Sequence, residues 1–262
     1  MYNYNFIQNT KKINPSDLLI KIKRILPKYL NGITDNVALS ILKIIEKTNS
    51  KHHMLETGTG ASTIAFFIGA VLKKKKFYTF DPNPEKLETV KQIINSSICE
   101  HLKINISDYW IPIMSSSTNE YTGIKLLKEK KKKIDFCFLD SEHTLFNLNK
   151  ELDLFFDLIP DKFYVGIDDA HMRYKRVNID YVNLIRSRAK FKKIFISDNT
   201  CHDFSIEVLN KLKKNFKKVK IIKPIKKLNS KNDPYYSYYQ DIIFKPDERK
   251  VHYAYFYSII KG

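Results

Sequence analysis

The stretch His53-Met-Leu-Glu-Thr-Gly-Thr-Gly-Ala-Ser-Thr63, followed by Ile64-Ala-Phe-Phe-Ile-Gly-Ala-Val-Leu72, decides the fold. A short apolar run ends in an acid, Gly58 and Gly60 follow, and apolar residues then recur at helical spacing. The pattern predicts a strand, a tight glycine turn and a helix. Such a turn lets backbone N–H groups and a helix N-terminus approach a ligand, because glycine has no Cβ to hold it off. Glu56 sets a negative charge where a pyrophosphate binder would want none. The turn therefore suits a ligand with hydroxyls or a positive charge. A dinucleotide fingerprint would need a third glycine where Thr63 stands, and no G-x-x-x-x-G-K-[ST] run occurs.

The next segment repeats the pattern. Phe77-Tyr-Thr-Phe80 is an aromatic and β-branched run ending at Asp81, and Pro82-Asn-Pro84 breaks it before a helical spacing over 85–94. An acid ending the second strand, about 20 residues beyond the glycine turn, is where doubly wound folds hold ribose hydroxyls. Capping of the next helix is the plainer role for Asp81. Downstream, 102–106 reads as a third strand and 109–114, with Pro112 inside it, as an edge or loop. Residues 134–139 read as a buried strand, 144–159 as a helix and 163–167 as another strand. Residues 179–188 and 205–216 read as helices, and 194–197, 219–223, 241–244 and 251–260 as strands. This alternation predicts an α/β fold with a doubly wound, mostly parallel sheet. Ahead of it, 15–26, capped by Ser16, and 36–46, capped by Thr34 or Asp35, read as helices. The chain divides into an N-terminal helical extension over 1–50 and a main domain over 51–262.

Composition narrows the class. The 262 residues, 43% hydrophobic and 13% aromatic, can bury a good core. No apolar run approaches the ~18 residues of a membrane helix, and the start has no secretory pattern, so a cytoplasmic protein without a membrane partner is expected. Cys99, Cys137 and Cys201 are widely separated and lack metal spacing, which fits a reducing compartment. The net charge of +18 invites a nucleic-acid partner. Against that, only six of the 46 basic residues are Arg, and the lysines lie in runs such as Lys73–Lys76 and Lys130–Lys133. Such runs read as solvated helix ends, favourable at the C-terminal dipole.

Two strand ends carry the remaining acids, Leu139-Asp140-Ser-Glu-His143 and Ile167-Asp168-Asp169-Ala-His171. Ligands in open α/β sheets sit outside the carboxyl ends of the strands. Asp140, Asp168 and Asp169 are therefore expected on the edge that holds Glu56 and Asp81. Clustered carboxylates repel unless a cation joins them, and Mg²⁺ takes such oxygen ligands. Plainer roles stay open: Asp168 or Asp169 as a helix cap, Glu142 as a first-turn acid, His143 and His171 as packed or surface residues.

The E-x-G-x-G turn resembles the first motif of class I S-adenosylmethionine-dependent methyltransferases. Ile134-Asp-Phe-Cys-Phe-Leu-Asp-Ser-Glu-His-Thr144 and Val165-Gly-Ile-Asp-Asp-Ala170 are similar to the fourth- and fifth-strand motifs of one subgroup. That subgroup includes small-molecule O-methyltransferases, some of them Mg²⁺-dependent. The resemblance spans roughly 34–171. It departs from the common pattern at Ser115-Ser-Ser117, where many relatives place Gly-Asp or Gly-Ser against adenine. It departs again at Asp168-Asp169, where catechol-type enzymes have Asp-Asn. The resemblance implies a Rossmann-like methyltransferase fold with S-adenosylmethionine as cofactor and Mg²⁺ as an optional assistant. It puts Glu56, Gly58 and Gly60 around the methionine part, Asp81 on the ribose, and Ser116 and Asp140 along the rest of the cofactor. It makes Asp140, Asp168 and Asp169 metal ligands and His143 the base that takes a proton from the oxygen of a small-molecule or sugar acceptor. A nucleic-acid methyltransferase is the alternative, although the fourth strand ends in Leu-Asp-Ser-Glu and not in the Asn/Asp-Pro-Pro-aromatic motif of base N-methyltransferases. A non-catalytic cofactor-binding protein of the same fold is another. A homo-oligomer is left open, with the tyrosines of 234–240 as an acceptor wall or a subunit contact.

Overall fold

The computed structural model describes residues 14–142, 144–168, 204–222 and 254–261. Two helices come first. Asn14 caps α1 (Pro15–Ile25), its Oδ1 accepting from Ser16 N at 2.9 Å, and Pro15 fills the first helical position. Ser16, the expected cap, lies inside the first turn. Thr34 caps α2 (Asp35–Ile45) by accepting from Val37 N. The apolar faces of α1 and α2 bury Leu19, Ile22, Val37, Ile41 and Ile45 in one cluster with Phe66 and Phe67 of α3 (Ala61–Lys73).

The sheet follows the predicted alternation. Its strands are β1 (His53–Thr57), β2 (Phe77–Phe80), β3 (Trp110–Ile113), β4 (Ile134–Leu139), β5 (Lys162–Ile167), β6 (Lys218–Ile222) and β7 (Tyr255–Ile260), in the order β3-β2-β1-β4-β5-β7-β6. Among the described strands only β7 runs opposite to the rest. Helices α4 (Pro84–Ile94), α5 (Glu100–Leu102), α6 (Lys125–Glu129), α7 (Leu145–Phe156) and α8 (Phe204–Asn215) complete the layers, with a π-helical turn over Asn95–Cys99 between α4 and α5. Side chains alternate across the sheet. Met54, Phe136 and Phe138 face the α1–α4 cluster, whereas Leu55, Cys137 and Leu139 face a second cluster with Leu148, Leu152 and Phe155 of α7. Both faces are buried, as expected of a mostly parallel sheet.

Two expectations are corrected. The third strand is not 102–106: Lys103, at φ 53°, ends α5, and the strand is Trp110–Ile113 at the sheet edge. An edge tolerates Pro112, whose absent N–H has no second strand to serve. The lysine runs are not all solvated. Lys74 turns in left-handed conformation at the C-cap of α3, but Lys75 is buried and meets Asp135 at 2.7 Å. The expected elements at 179–188, 194–197 and 241–244, Cys201 and the tyrosines of 234–240 lie outside the described residues.

The chain winds outward from β1 through β2 to β3, then crosses to β4 and β5 on the other side. The strand order thus reverses between β1 and β4. Ligands of open α/β sheets bind outside the carboxyl ends of the strands at such a switch point. At the opposite edge an open cavity of about 700 Å³ is lined by Lys47, Lys133, Lys162 and Lys261, together with His52 and Asp135. No helix among the described residues is long and apolar enough to cross a membrane.

Candidate functional site

The glycine turn lies at the switch point, and its two glycines answer to two different neighbours. Gly58 sits at φ +84°, a conformation that side-chain-bearing residues rarely adopt. A Cβ there would fall on the backbone carbonyl oxygen of Asp140, the residue that ends β4. Gly60 is extended, so crowding and not strain selects it. A Cβ would come within 2.7 Å of the Leu30 carbonyl oxygen, on the segment between α1 and α2. Asp140 N in turn donates to Thr57 O and Thr57 Oγ1, both at 3.1 Å. The turn is thus pressed between β4 and the N-terminal segment, and α3 begins with Thr63 Oγ1 accepting from Gly60 N at 3.0 Å.

Beneath the turn lies Glu56, fully buried. Its Oε1 accepts from Thr79 Oγ1 at 2.7 Å, and the same hydroxyl accepts from Trp110 Nε1 at 2.7 Å. Among the described residues its Oε2 has no hydrogen-bond partner, and neither does the buried Thr59 Oγ1 in the turn. Among the described residues no cation offsets the burial, which pushes the Glu56 carboxyl up to about 8; the hydroxyls of Thr79, Thr63 and Ser62 oppose that shift and Asp81 adds to it. An acid held this way accepts a cation readily, because pairing would relieve the cost of its ionised form.

Asp81 follows β2 and is 4% exposed. It does not cap α4, since that role falls to Asn83. Asp81 Oδ2 accepts from Thr59 N and Oδ1 from Asn83 N, both at 2.8 Å. Each oxygen keeps a further lone pair for a ligand. The acid thereby grips the glycine turn from the neighbouring strand, a contact that local spacing does not signal.

The other expected residues divide. Ser116 is exposed in the loop after β3, between buried Ser115 and Ser117, with its hydroxyl 3.4 Å from Thr118 Oγ1. Asp140 and Asp168 are half-buried at adjacent strand ends, joined through Asp168 N donating to Leu139 O at 3.0 Å. Asp169, His143 and His171 lie outside the described residues. Among the described residues no three Asp, Glu, His or Cys side chains gather as a metal set. The acid that sequence reasoning missed is Glu151 of α7, buried under this edge with Ser117 and Ser141. Its signal was there to read: it interrupts the apolar stripe Leu148, Leu152, Phe155 with an acid.

The architecture recurs in solved structures. The O-methyltransferase from Bacillus cereus in complex with SAH is 12% identical, with a TM-score of 0.57 over 95% of this chain and 92% of that one. A putative O-methyltransferase from Klebsiella pneumoniae is 9% identical, TM-score 0.55, over 95% and 91%. A putative caffeoyl-CoA O-methyltransferase from Staphylococcus aureus is 12% identical, TM-score 0.53, over 97% and 95%. No protein-family profile and no curated protein matches the sequence. The chain has the Rossmann-like fold of these O-methyltransferases.

Proposed function

We propose that the protein is an S-adenosylmethionine-dependent methyltransferase acting on an oxygen of a small molecule or sugar. The observation that carries this reading is the pair of buried polar atoms, Glu56 Oε2 and Thr59 Oγ1, that have no partner among the described residues, beside a glycine turn at the switch point. They match a cationic amino acid that brings its own donors and acceptors, and they mismatch a pyrophosphate. The residues present therefore fit the cofactor.

When bound, S-adenosylmethionine supplies a methyl group on a positively charged sulfur. Glu56 Oε2 pairs with the ammonium of its methionine part, and Thr59 Oγ1 and the turn's backbone hold the remaining polar atoms. Asp81 accepts from the ribose hydroxyls with the lone pairs its two backbone contacts leave over. Ser116 lines the adenine side, and Asp140 closes the site from β4. His143 takes the acceptor's proton. The rate gain would come mainly from the site's positioning of the acceptor oxygen against the bound cofactor. A divalent ion on Asp140, Asp168 and Asp169 would assist by lowering the acceptor's pKa; the adjacency of the β4 and β5 ends supports it, and turnover in excess EDTA decides it.

Calorimetry tests the reading. S-adenosylhomocysteine should bind and NAD should not. Asp81→Ala should weaken binding by about 1.5–3 kcal/mol, the worth of charge-assisted hydrogen bonds. Stabilisation by NAD with none by S-adenosylhomocysteine would overturn it. Sub-micromolar, sequence-selective RNA binding at physiological salt would move the acceptor to nucleic acid.

A further inference from the structure

Behind the candidate site a second buried carboxyl joins four segments of chain. Glu151, in the middle of α7, is 1% exposed. Its Oε1 accepts from Ser117 Oγ, in the loop after β3, and from Ser141 Oγ at 2.7 Å, one residue past Asp140. The Thr57 hydroxyl, at the end of β1, also favours its charged form. Asn147 of α7 reinforces the link, with Nδ2 donating to Ser141 Oγ at 2.9 Å and Oδ1 accepting from Thr118 Oγ1 at 3.3 Å. Burial is the main influence and raises the Glu151 pKa. Among the described residues no ion pair includes Glu151. A carboxyl that merely filled the core would be a costly filler, since an apolar side chain serves there without a desolvation penalty.

The segments Glu151 joins all border the glycine turn. Thr57 precedes Gly58, and Ser141 follows the residue whose carbonyl crowds Gly58. Ser117 and Thr118 flank the exposed Ser116 side of the site. We propose that Glu151 is a positioning residue of the cofactor site, holding the 115–118 loop and the Asp140–Ser141 strand end in place before the ligand arrives. A loop ordered in advance spares the ligand the entropy of ordering it. This inference rests on the methyltransferase reading above.

The test is calorimetry with S-adenosylhomocysteine on the full chain, paired with hydrogen exchange. Failure of the wild type to bind overturns the methyltransferase reading and this inference with it. Given wild-type binding, Glu151→Gln keeps an oxygen acceptor and should bind within about threefold of wild type, whereas Glu151→Ala should bind about tenfold more weakly. Amides of 115–118 and 140–142 should exchange faster in Glu151→Ala, while those of 134–137 at the far end of β4 stay unchanged. Wild-type affinity in Glu151→Ala, with only its melting temperature lowered, overturns the positioning role. Should Glu151→Ala not fold, the double variant Ser117→Ala/Ser141→Ala removes both donors and keeps the helix intact. It should show the same loss of affinity, and undiminished binding there overturns the proposal equally.

Discussion

The two edges of the sheet each bury a carboxyl, and they treat it in opposite ways. At the N-terminal edge Asp135 meets Lys75 at 2.7 Å, and Lys75 also donates to Thr48 Oγ1 and Asn49 O. Burial pulls Lys75 down and pushes Asp135 up, and each group holds the other's charge against that pull. Lysines dominate the surroundings: His53 is lowered to about 4, first by burial and then by Lys132, Lys75 and Lys76. At the C-terminal edge Glu56 is as deeply buried, yet among the described residues it has no cation and one oxygen lacks a partner. A buried acid whose needs the chain meets is part of the fold. One whose needs the chain leaves unmet points to a ligand. The lesson is that burial alone does not separate structural from functional acids, but the completeness of their partners does.

The largest expected effect lies at the lysine-rich edge. Lys75→Met leaves Asp135 buried and uncompensated, which should cost about 3–5 kcal/mol of stability by urea unfolding. Binding of S-adenosylhomocysteine by the folded variant should be unchanged. A Lys75→Met protein as stable as wild type would break the contrast. Glu56→Gln should do the reverse, weakening S-adenosylhomocysteine by about 1.5–3 kcal/mol while leaving the protein no less stable than wild type near neutral pH, because the variant no longer loses stability to ionisation of the unfolded chain. Unaltered affinity would reduce Glu56 to a core residue.

The third expectation concerns pH. The folded-state pKa of Glu56, about 8, lies above its ordinary value of 4.5, so the native state holds a proton that the unfolded chain releases. The stabilisation from this group is full below about 4.5 and is lost as pH rises through about 8. Glu56→Gln should remove that part of the slope from urea titrations across this window. Pairing with a ligand ammonium requires the ionised form, so binding near neutral pH should release a proton, read as heat that depends on the buffer's ionisation enthalpy. A binding heat independent of buffer would count against the pairing. The smallest effect belongs to Thr59→Val. It discards a hydroxyl that has no partner among the described residues, so stability should hold within about 0.5 kcal/mol while S-adenosylhomocysteine loses about 1 kcal/mol of affinity.

What the sequence disclosed was what local spacing encodes. The glycine turn, Asp81, and the acids at 140 and 168 were legible because each ends an apolar run at a recognisable interval. What stayed hidden depends on partners distant in sequence. Lys75 looked like one more member of a lysine run, and its partner Asp135 is 60 residues away. Asp81 gave no hint that it holds Thr59 N, 22 residues upstream. β3 was misplaced because Pro112 weakens a strand pattern that only an edge position permits. Glu151 sat inside an apolar stripe, and the serines that explain it lie on two other segments.

The place of β7 bears on how the chain assembles in time. Among the described strands β6 bonds to the sheet through β7 alone, which is made more than thirty residues later and inserts between β5 and β6. Among the described strands, β5 and β6 are therefore both made before the strand that joins them. That interval leaves Val165 and Ile167 on an unpaired edge, a template for association with another nascent chain. Closure of the sheet is a late, long-range event, and the β5–β7–β6 side of the sheet has to wait for it while the glycine turn and its acids have already met.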